Sequence, residues 1–177
     1  MSETSRIHKA GAAPSKGTLI ITCSTSRFRQ EKSGEKPSDP SGDLIENRMK
    51  EHGHSVRGRR LVPDDEKILL STLSEALKNP EVDSIIVTGG TGVSQDDITI
   101  EVAERVFEKK LPGFGEALRR ISYDEIGSPA ILTRATAGIA LKKPIFCIPG
   151  SPDAVKRSLD KLILPELAHI LKHAHGG

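Results

Sequence analysis

A chain of 177 residues with 36% apolar and 28% charged side chains has the size and balance of one soluble globular domain, long enough to bury a sizeable core. Aromatic residues are only 3% and Trp is absent, so the core must be built from Ile, Leu, Val and Ala, and the base-stacking side chains of single-stranded nucleic-acid binders are missing. A net charge of +2 is too small to mark a nucleic-acid protein, and no apolar run approaches the roughly 18 residues of a membrane span.

Residues 1–16 are small, polar and unpatterned and read as a flexible N-terminal tail, with no apolar segment of the kind a signal peptide needs. Residues 17–177 then form a single domain. Thr18 to Cys23 is a β-branched-rich run and predicts a first buried strand. The polar stretch Ser24 to Pro40 is too long for a simple strand-to-helix turn and is expected to be functional or disordered. From Asp43 the pattern turns helical, with Leu44, Ile45 and Met49 on one stripe, Ser41 as the expected N-cap and Gly53 as the stop.

Val56 to Val62 predicts a more polar second strand ending at Pro63-Asp64-Asp65. Leu69, Leu73, Ala76 and Leu77 follow at helical spacing, and Asn79-Pro80 ends that helix. Ile85 to Val87 is a third strand and Ile100 to Phe107 a helix, which Leu111-Pro112-Gly113-Phe114-Gly115 is expected to break. Glu116 to Glu125 is a further helix with Leu118 and Ile121 inward. Ala130 to Leu141 holds one or two short strands, and Pro144 to Ile148 is another buried strand closed by Pro149-Gly150-Ser151-Pro152. The last helices carry Val155, Leu159, Leu162 and Ile163, then Leu167, Ile170 and Leu171, with Pro165 suited to a first turn.

Alternating strands and helices argue a three-layer α/β/α sandwich with a mostly parallel sheet, in which ligands sit beyond the carboxyl ends of the strands. Four strand-exit loops carry distinctive chemistry: 24–41, 63–65, 88–99 and 149–153. The glycines of Gly89-Gly90-Thr91-Gly92 allow close backbone approach to an anion. Neither a Walker loop nor a spaced G-x-G-x-x-G fingerprint is present, so a nicotinamide enzyme is a remote reading.

Asp96 and Asp97 beyond that loop, like Asp64 and Asp65 after the second strand, read either as helix caps or as carboxylates for Mg²⁺, a hard ion that also touches substrate phosphates. A metal between acids and phosphate would remove their repulsion. The Gly150-Ser151 turn offers a hydroxyl to a phosphate or ring edge. Cys23 and Cys147 sit in apolar runs and read as buried free thiols of a cytoplasmic protein. His169 and His173 have a metal-capable spacing, but with no neighbouring acid or Cys they, like His175, read as a solvated helix face. Arg27 and Arg29 lie on the expected ligand edge and otherwise read as solvated surface.

Taken in order, Asp39-Pro40-Ser41-Gly42, Thr88-Gly89-Gly90-Thr91-Gly92 with Asp97 five residues on, Leu111-Pro112-Gly113-Phe114-Gly115-Glu116, Arg119-Arg120-Ile121-Ser122, Arg134-Ala135-Thr136-Ala137-Gly138 and Pro149-Gly150-Ser151-Pro152 resemble the MoaB/MogA family of molybdenum-cofactor biosynthesis, which includes the G-domains of gephyrin and plant Cnx proteins. The resemblance spans residues 17–171. It is closest to the MoaB branch over 111–138 and to the MogA branch in its acids.

The resemblance implies a Rossmann-like molybdopterin-binding fold and a homotrimer, or a hexamer as a dimer of trimers. It implies Mg²⁺-dependent adenylylation of molybdopterin by ATP with release of pyrophosphate. Asp64 and Asp97 would be the catalytic and metal-binding acids. Gly89, Gly90, Thr91, Gly92, Glu116, Ser122, Arg134, Gly150 and Ser151 would bind molybdopterin and nucleotide, with Thr133 standing where many relatives have Ser. The alternatives are a non-catalytic molybdopterin-binding protein of the MoaB branch and a scaffold, which would need an appended partner-binding region.

Overall fold

The computed structural model describes residues 15–176. Six strands form one sheet: β1 (Thr18–Cys23), β2 (Val56–Val62), β3 (Ser84–Thr88), β4 (Lys109–Lys110), β5 (Thr136–Ala140) and β6 (Lys143–Ile148). Their spatial order is β2-β1-β3-β6-β5-β4. β2, β1, β3 and β6 run parallel, while β5 is antiparallel to both β6 and β4. The sheet is therefore mixed and mostly parallel.

Among the described residues seven α-helices accompany it: α1 (Thr25–Lys32), α2 (Pro40–Glu51), α3 (Glu66–Lys78), α4 (Thr99–Glu104), α5 (Pro112–Ile126), α6 (Pro152–Ser158) and α7 (Leu164–Ala174). A 3₁₀ turn covers Ser128–Leu132.

Successive strand residues point to opposite faces, and this splits the core into two layers. Ile21, Ile85, Val87, Ile145 and Cys147 pack with Leu69 and Leu73 of α3 and Val102 of α4. Ile20, Ile86, Phe146 and Ile148 pack on the other face with Ile45 and Met49 of α2, Val155 of α6 and Leu167 of α7. The Phe114 ring of α5 lies 5.4 Å from that of Phe146 on this second face. The three-layer sandwich expected from the strand–helix alternation is what forms.

Several local expectations change. The stretch Ser24 to Pro40 is neither an irregular loop nor disordered throughout. Ser24 caps α1, accepting from the Arg27 N–H. That helix buries no residue fully, so no apolar stripe announces it. α2 starts before Asp43: Asp39 is its N-cap, accepting from the Gly42 N–H, and Pro40 takes the first turn, where its missing N–H costs nothing. Ser41 is thus not the cap but a buried residue of the first turn.

Leu111 to Gly115 starts a helix rather than merely breaking one, because Pro112 again occupies the first turn. Gly115 is required by closeness, since a Cβ there would lie 2.6 Å from the Ala135 carbonyl oxygen. α4 ends at Glu104, short of Phe107, whose ring lies against Gly138 of β5 and leaves no room for a Cβ there. Lys109–Lys110 then pairs with β5 as an edge strand. Of the one or two short strands expected in Ala130 to Leu141, one forms, Thr136–Ala140. Between α6 and α7 a π turn, Leu159–Ile163, precedes Pro165, as expected where a proline withholds an N–H from the helical ladder.

The expected tail, residues 1–16, lies outside the described residues except for its last two. Those two are docked. The Ser15 N–H donates to His54 Nδ1 (2.9 Å), the Ser15 hydroxyl donates to Asp83 (2.5 Å), and the Lys16 N–H donates to the same carboxylate (2.6 Å). No helix among the described residues is long and apolar enough to cross a membrane.

Candidate functional site

Parallel strands bring their carboxyl ends to one edge, and the loops after β1, β2, β3 and β6 meet there. Gly89 and Gly90 leave β3 with φ of +88° and +62°, a left-handed conformation that glycine adopts without steric penalty. The loop is held from behind. The Thr99 hydroxyl donates to the Gly89 carbonyl (2.8 Å), and the Thr99 N–H donates to that of Gly90 (2.9 Å).

In front of it lies a cleft of about 510 Å³. Gly89, Gly90, Thr91, Gly92 and Asp97 form one wall, and Pro149, Gly150, Ser151 and Ala154 form another. Ile126, Pro129 and Leu132 add an apolar lip. Such a cleft suits a ligand with an anionic end and a flat apolar body.

The four acids separate in role. Asp65 is the helix cap, accepting from the Ile68 N–H (2.9 Å). Asp64 turns the other way: its Oδ2 accepts from the N–H (3.0 Å) and hydroxyl (2.7 Å) of Thr25, at the start of α1. Its Oδ1 approaches Gly90, where a Cβ would come within 2.8 Å of it.

Asp97 caps no helix either, since α4 has Ile98 at its N-cap and no side-chain cap bond. Instead Asp97 Oδ2 accepts from the Ser94 N–H (2.9 Å) and lies against Gly92, where a Cβ would sit 2.6 Å from it. Asp96 is exposed. Asp64 and Asp97 thus flank one glycine loop from two sides, but only Asp97 lines the cleft.

Among the described residues no cluster of three or more His, Cys, Asp or Glu side chains forms a protein-only metal cage. Asp97 at the cleft wall and Asp64 beyond the loop each keep one carboxylate oxygen that accepts no hydrogen bond among the described residues, the donor chemistry that suits Mg²⁺. That ion takes one or two protein carboxylates and completes its shell with phosphate and water. His169 and His173 meet edge to face with ring centroids 4.4 Å apart in a separate hollow beside Glu108. His173 and His175 are exposed and His169 half-buried, so this part of the helix face is solvated along a surface groove.

Gly150 and Ser151 line the cleft. Ser151 caps α6, accepting from the Ala154 N–H at 3.4 Å. The buried Ser41 hydroxyl reaches across to donate to the Gly150 carbonyl (2.7 Å). Arg134 lines the cleft, yet its guanidinium donates to the Gly92 carbonyl (2.6 Å) and pairs with Glu101, so it braces the glycine loop.

Glu116 is exposed near the start of α5, just past its first turn, and outside the cleft lining. Ser122 is also outside it, buried, and its hydroxyl has no partner among the described residues. Arg27 and Arg29 of α1 do not line the cleft. Sequence reading missed Asp153, Arg157 and the Ile126–Leu132 lip. The hydrophobic Ile126 and Leu132, exposed at 48% and 61%, were the available signal.

The surrounding charges are arranged for support rather than reaction. Burial pushes the Asp39 carboxyl up, but the Gly42 N–H, the Arg59 guanidinium and the Thr22 hydroxyl outweigh it and hold the group below its ordinary value. Cys23, behind the glycine loop, is pushed up to about 12 by burial, with Asp64 adding to the rise against a hydrogen bond to Thr99. Burial raises Cys147 as well. Both are neutral thiols at physiological pH and not nucleophiles.

A family model described as a probable molybdopterin binding domain matches residues 19–169. The molybdenum cofactor biosynthesis protein B of Bacillus subtilis (strain 168) is 38% identical over 166 residues, 93% of this chain and 94% of that protein. A Methanocaldococcus jannaschii protein named a probable molybdopterin adenylyltransferase is 34% identical over 158 residues, 89% of this chain and 93% of that protein. The crystal structure of the tungsten cofactor synthesizing protein MoaB from Pyrococcus furiosus matches with a TM-score of 0.80 and 40% identity, covering 92% of this chain and 99% of that one.

Proposed function

The chain belongs to the MoaB/MogA family of molybdopterin-binding domains, and on that premise we propose that it acts in molybdenum cofactor biosynthesis by adenylylating molybdopterin with ATP. The observation that carries this reading is the placement of Asp64 and Asp97 on two sides of the Gly89–Gly92 loop, with Asp97 facing a cleft that also has an apolar lip.

The backbone N–H groups of the loop receive phosphate oxygens. Arg134 keeps the loop in place through the Gly92 carbonyl. The lip of Ile126, Pro129 and Leu132 shields a flat ring from water. Asp97 and Asp64 would hold Mg²⁺, which supplies neutralisation of the phosphate charge.

A terminal phosphate oxygen of molybdopterin forms a bond to the α-phosphorus of ATP. The bond from that phosphorus to the bridging oxygen breaks, and pyrophosphate leaves with the electron pair. No side chain forms a covalent intermediate in this scheme, so positioning and electrostatics carry it. The expected assembly, a trimer or a dimer of trimers, and a cytoplasmic location belong to the same proposal.

The test is incubation of the protein with molybdopterin, ATP and Mg²⁺, following pyrophosphate and adenylylated product. Asp97→Asn should lower turnover at least a hundredfold while circular dichroism and oligomer size stay unchanged. Near-normal turnover by that variant would remove Asp97 from the scheme. One observation favours a second reading, a molybdopterin-binding protein without turnover: Asp64 stands behind the loop rather than in the cleft wall. Binding of molybdopterin by the wild type with no pyrophosphate release would select it.

A further inference from the structure

Among the described residues four charged side chains line the cleft: Asp97, Arg134, Asp153 and Arg157. Arg134 spends its guanidinium on Gly92 and Glu101. Arg157, in the last turn of α6, is arranged differently. Its side chain is only 10% exposed, and its Nε donates to Glu125 Oε2 at 2.7 Å. Among the described residues neither Nη group has a partner, and Asp153, one turn earlier on the same helix, makes no ion pair with it. Glu125 belongs to α5, so the bond fixes the guanidinium between two helices.

A guanidinium held by its Nε edge keeps the Nη1–Nη2 fork free, and that fork matches two oxygens of one phosphate. The side chain as a whole is little exposed, yet neither Nη group is among the buried unpartnered atoms, so both keep access to solvent and stay available to an anion at the cleft that Arg157 lines. Fixing the side chain in advance also removes the rotamer entropy that binding would otherwise consume.

We propose that Arg157 is a specificity-determining phosphate contact of this cleft and that Glu125 is its positioning residue. The proposal rests on the reading of the cleft as a site for phosphate-bearing ligands. The ligand chemistry is a phosphate group with two free oxygens, carried either by the nucleotide or by the pterin.

The experiment measures dissociation constants by calorimetry for ATP with Mg²⁺, for molybdopterin, and for adenosine as the phosphate-free control. It compares the wild type with Arg157→Gln, Arg157→Lys and Glu125→Gln. Arg157→Gln should weaken one phosphate-bearing ligand at least tenfold and leave adenosine within twofold; which ligand weakens identifies the source of the phosphate. Arg157→Lys keeps the charge without the fork and should fall between Gln and wild type. Glu125→Gln should weaken the same ligand by about threefold.

If Arg157→Gln does not fold, the Lys variant decides, and binding equal to wild type overturns the proposal. Unchanged binding of both phosphate ligands by Arg157→Gln, or an equal loss for adenosine, also overturns it while the reading of the cleft stands. Failure of the wild type to bind either phosphate ligand overturns both.

Discussion

Gly89 and Gly150 meet backbone to backbone: a Cβ on Gly150 would sit 3.1 Å from the Gly89 Cα. The Gly89 N–H also donates to the Ile148 carbonyl (3.2 Å), and the Thr88 hydroxyl donates to that of Pro149 (3.1 Å). The exits of β3 and β6 are thereby locked into one surface. Gly89→Ala should be the worse substitution, because it combines a left-handed φ with a Cβ driven into the Cys23 carbonyl. Destabilisation on the order of 2–4 kcal/mol is expected for it, against about 1 kcal/mol for Gly150→Ala, where the neighbour must yield only slightly. Urea midpoints of the two variants check the order.

Gly92→Ala tests the acid without altering it. The added methyl would lie 2.6 Å from Asp97 Oδ2, and the φ of Gly92 is not left-handed. The carboxylate must therefore move while the backbone remains permitted. Stability should change by less than about 1 kcal/mol, whereas turnover should drop at least tenfold. Wild-type turnover in a folded Gly92→Ala protein would show that the position of Asp97 is not critical.

The hairpin between β5 and β6 turns through Leu141 and Lys142, with φ of +46° and +64°. A two-residue turn with both central residues at positive φ favours Asn-Gly, and Leu141 is 53% exposed, so little core packing is at risk. The double substitution Leu141→Asn with Lys142→Gly should raise stability by about 1–2 kcal/mol. A thermal midpoint at or below that of the wild type would contradict this.

His54 is buried and accepts the Ser15 N–H at Nδ1, which requires the neutral ring. Burial, then the neighbouring His52, lowers its pKa, and Asp83 opposes them only in part. The unfolded state therefore binds the proton more readily than the folded one. The stabilisation is complete above the ordinary value near 6.5 and is lost as pH falls from there towards the folded value. The urea midpoint should decline between pH 7 and 5, and His54→Gln should decline less. In the wild type, the protection factor of the Ser15 amide, its exchange rate corrected for the intrinsic pH dependence, should fall over the same range. Truncation through Ser15 should lower the melting temperature at pH 8, because it removes the partner of His54.

The readable parts of the site were those set by short-range chemistry. A glycine-rich strand exit and an acid within a few residues of it are visible along the chain, and Gly89, Gly90, Asp97 and Gly150 gather as the strand order requires. Glu116 stands apart on an exposed helical turn. Asp39 rather than Ser41 caps α2 because the backbone enters the helix one turn earlier than the apolar stripe suggests. The helix at Thr25–Lys32 stayed hidden because it buries no residue fully, leaving periodicity nothing to detect.

By itself, the sequence determined the layers. Near-continuous apolar runs in β1, β3 and β6 commit each strand to two buried faces, and helices must cover both. Only the tertiary structure decided which acid caps a helix and which faces the loop. It also decided that Arg134 braces Gly92 from 42 residues away and that Ser41 holds Gly150 from 109 residues away. Strand and helix patterns arise from the backbone and its near neighbours, whereas a side chain's partner depends on which distant segment the packed layers carry to it.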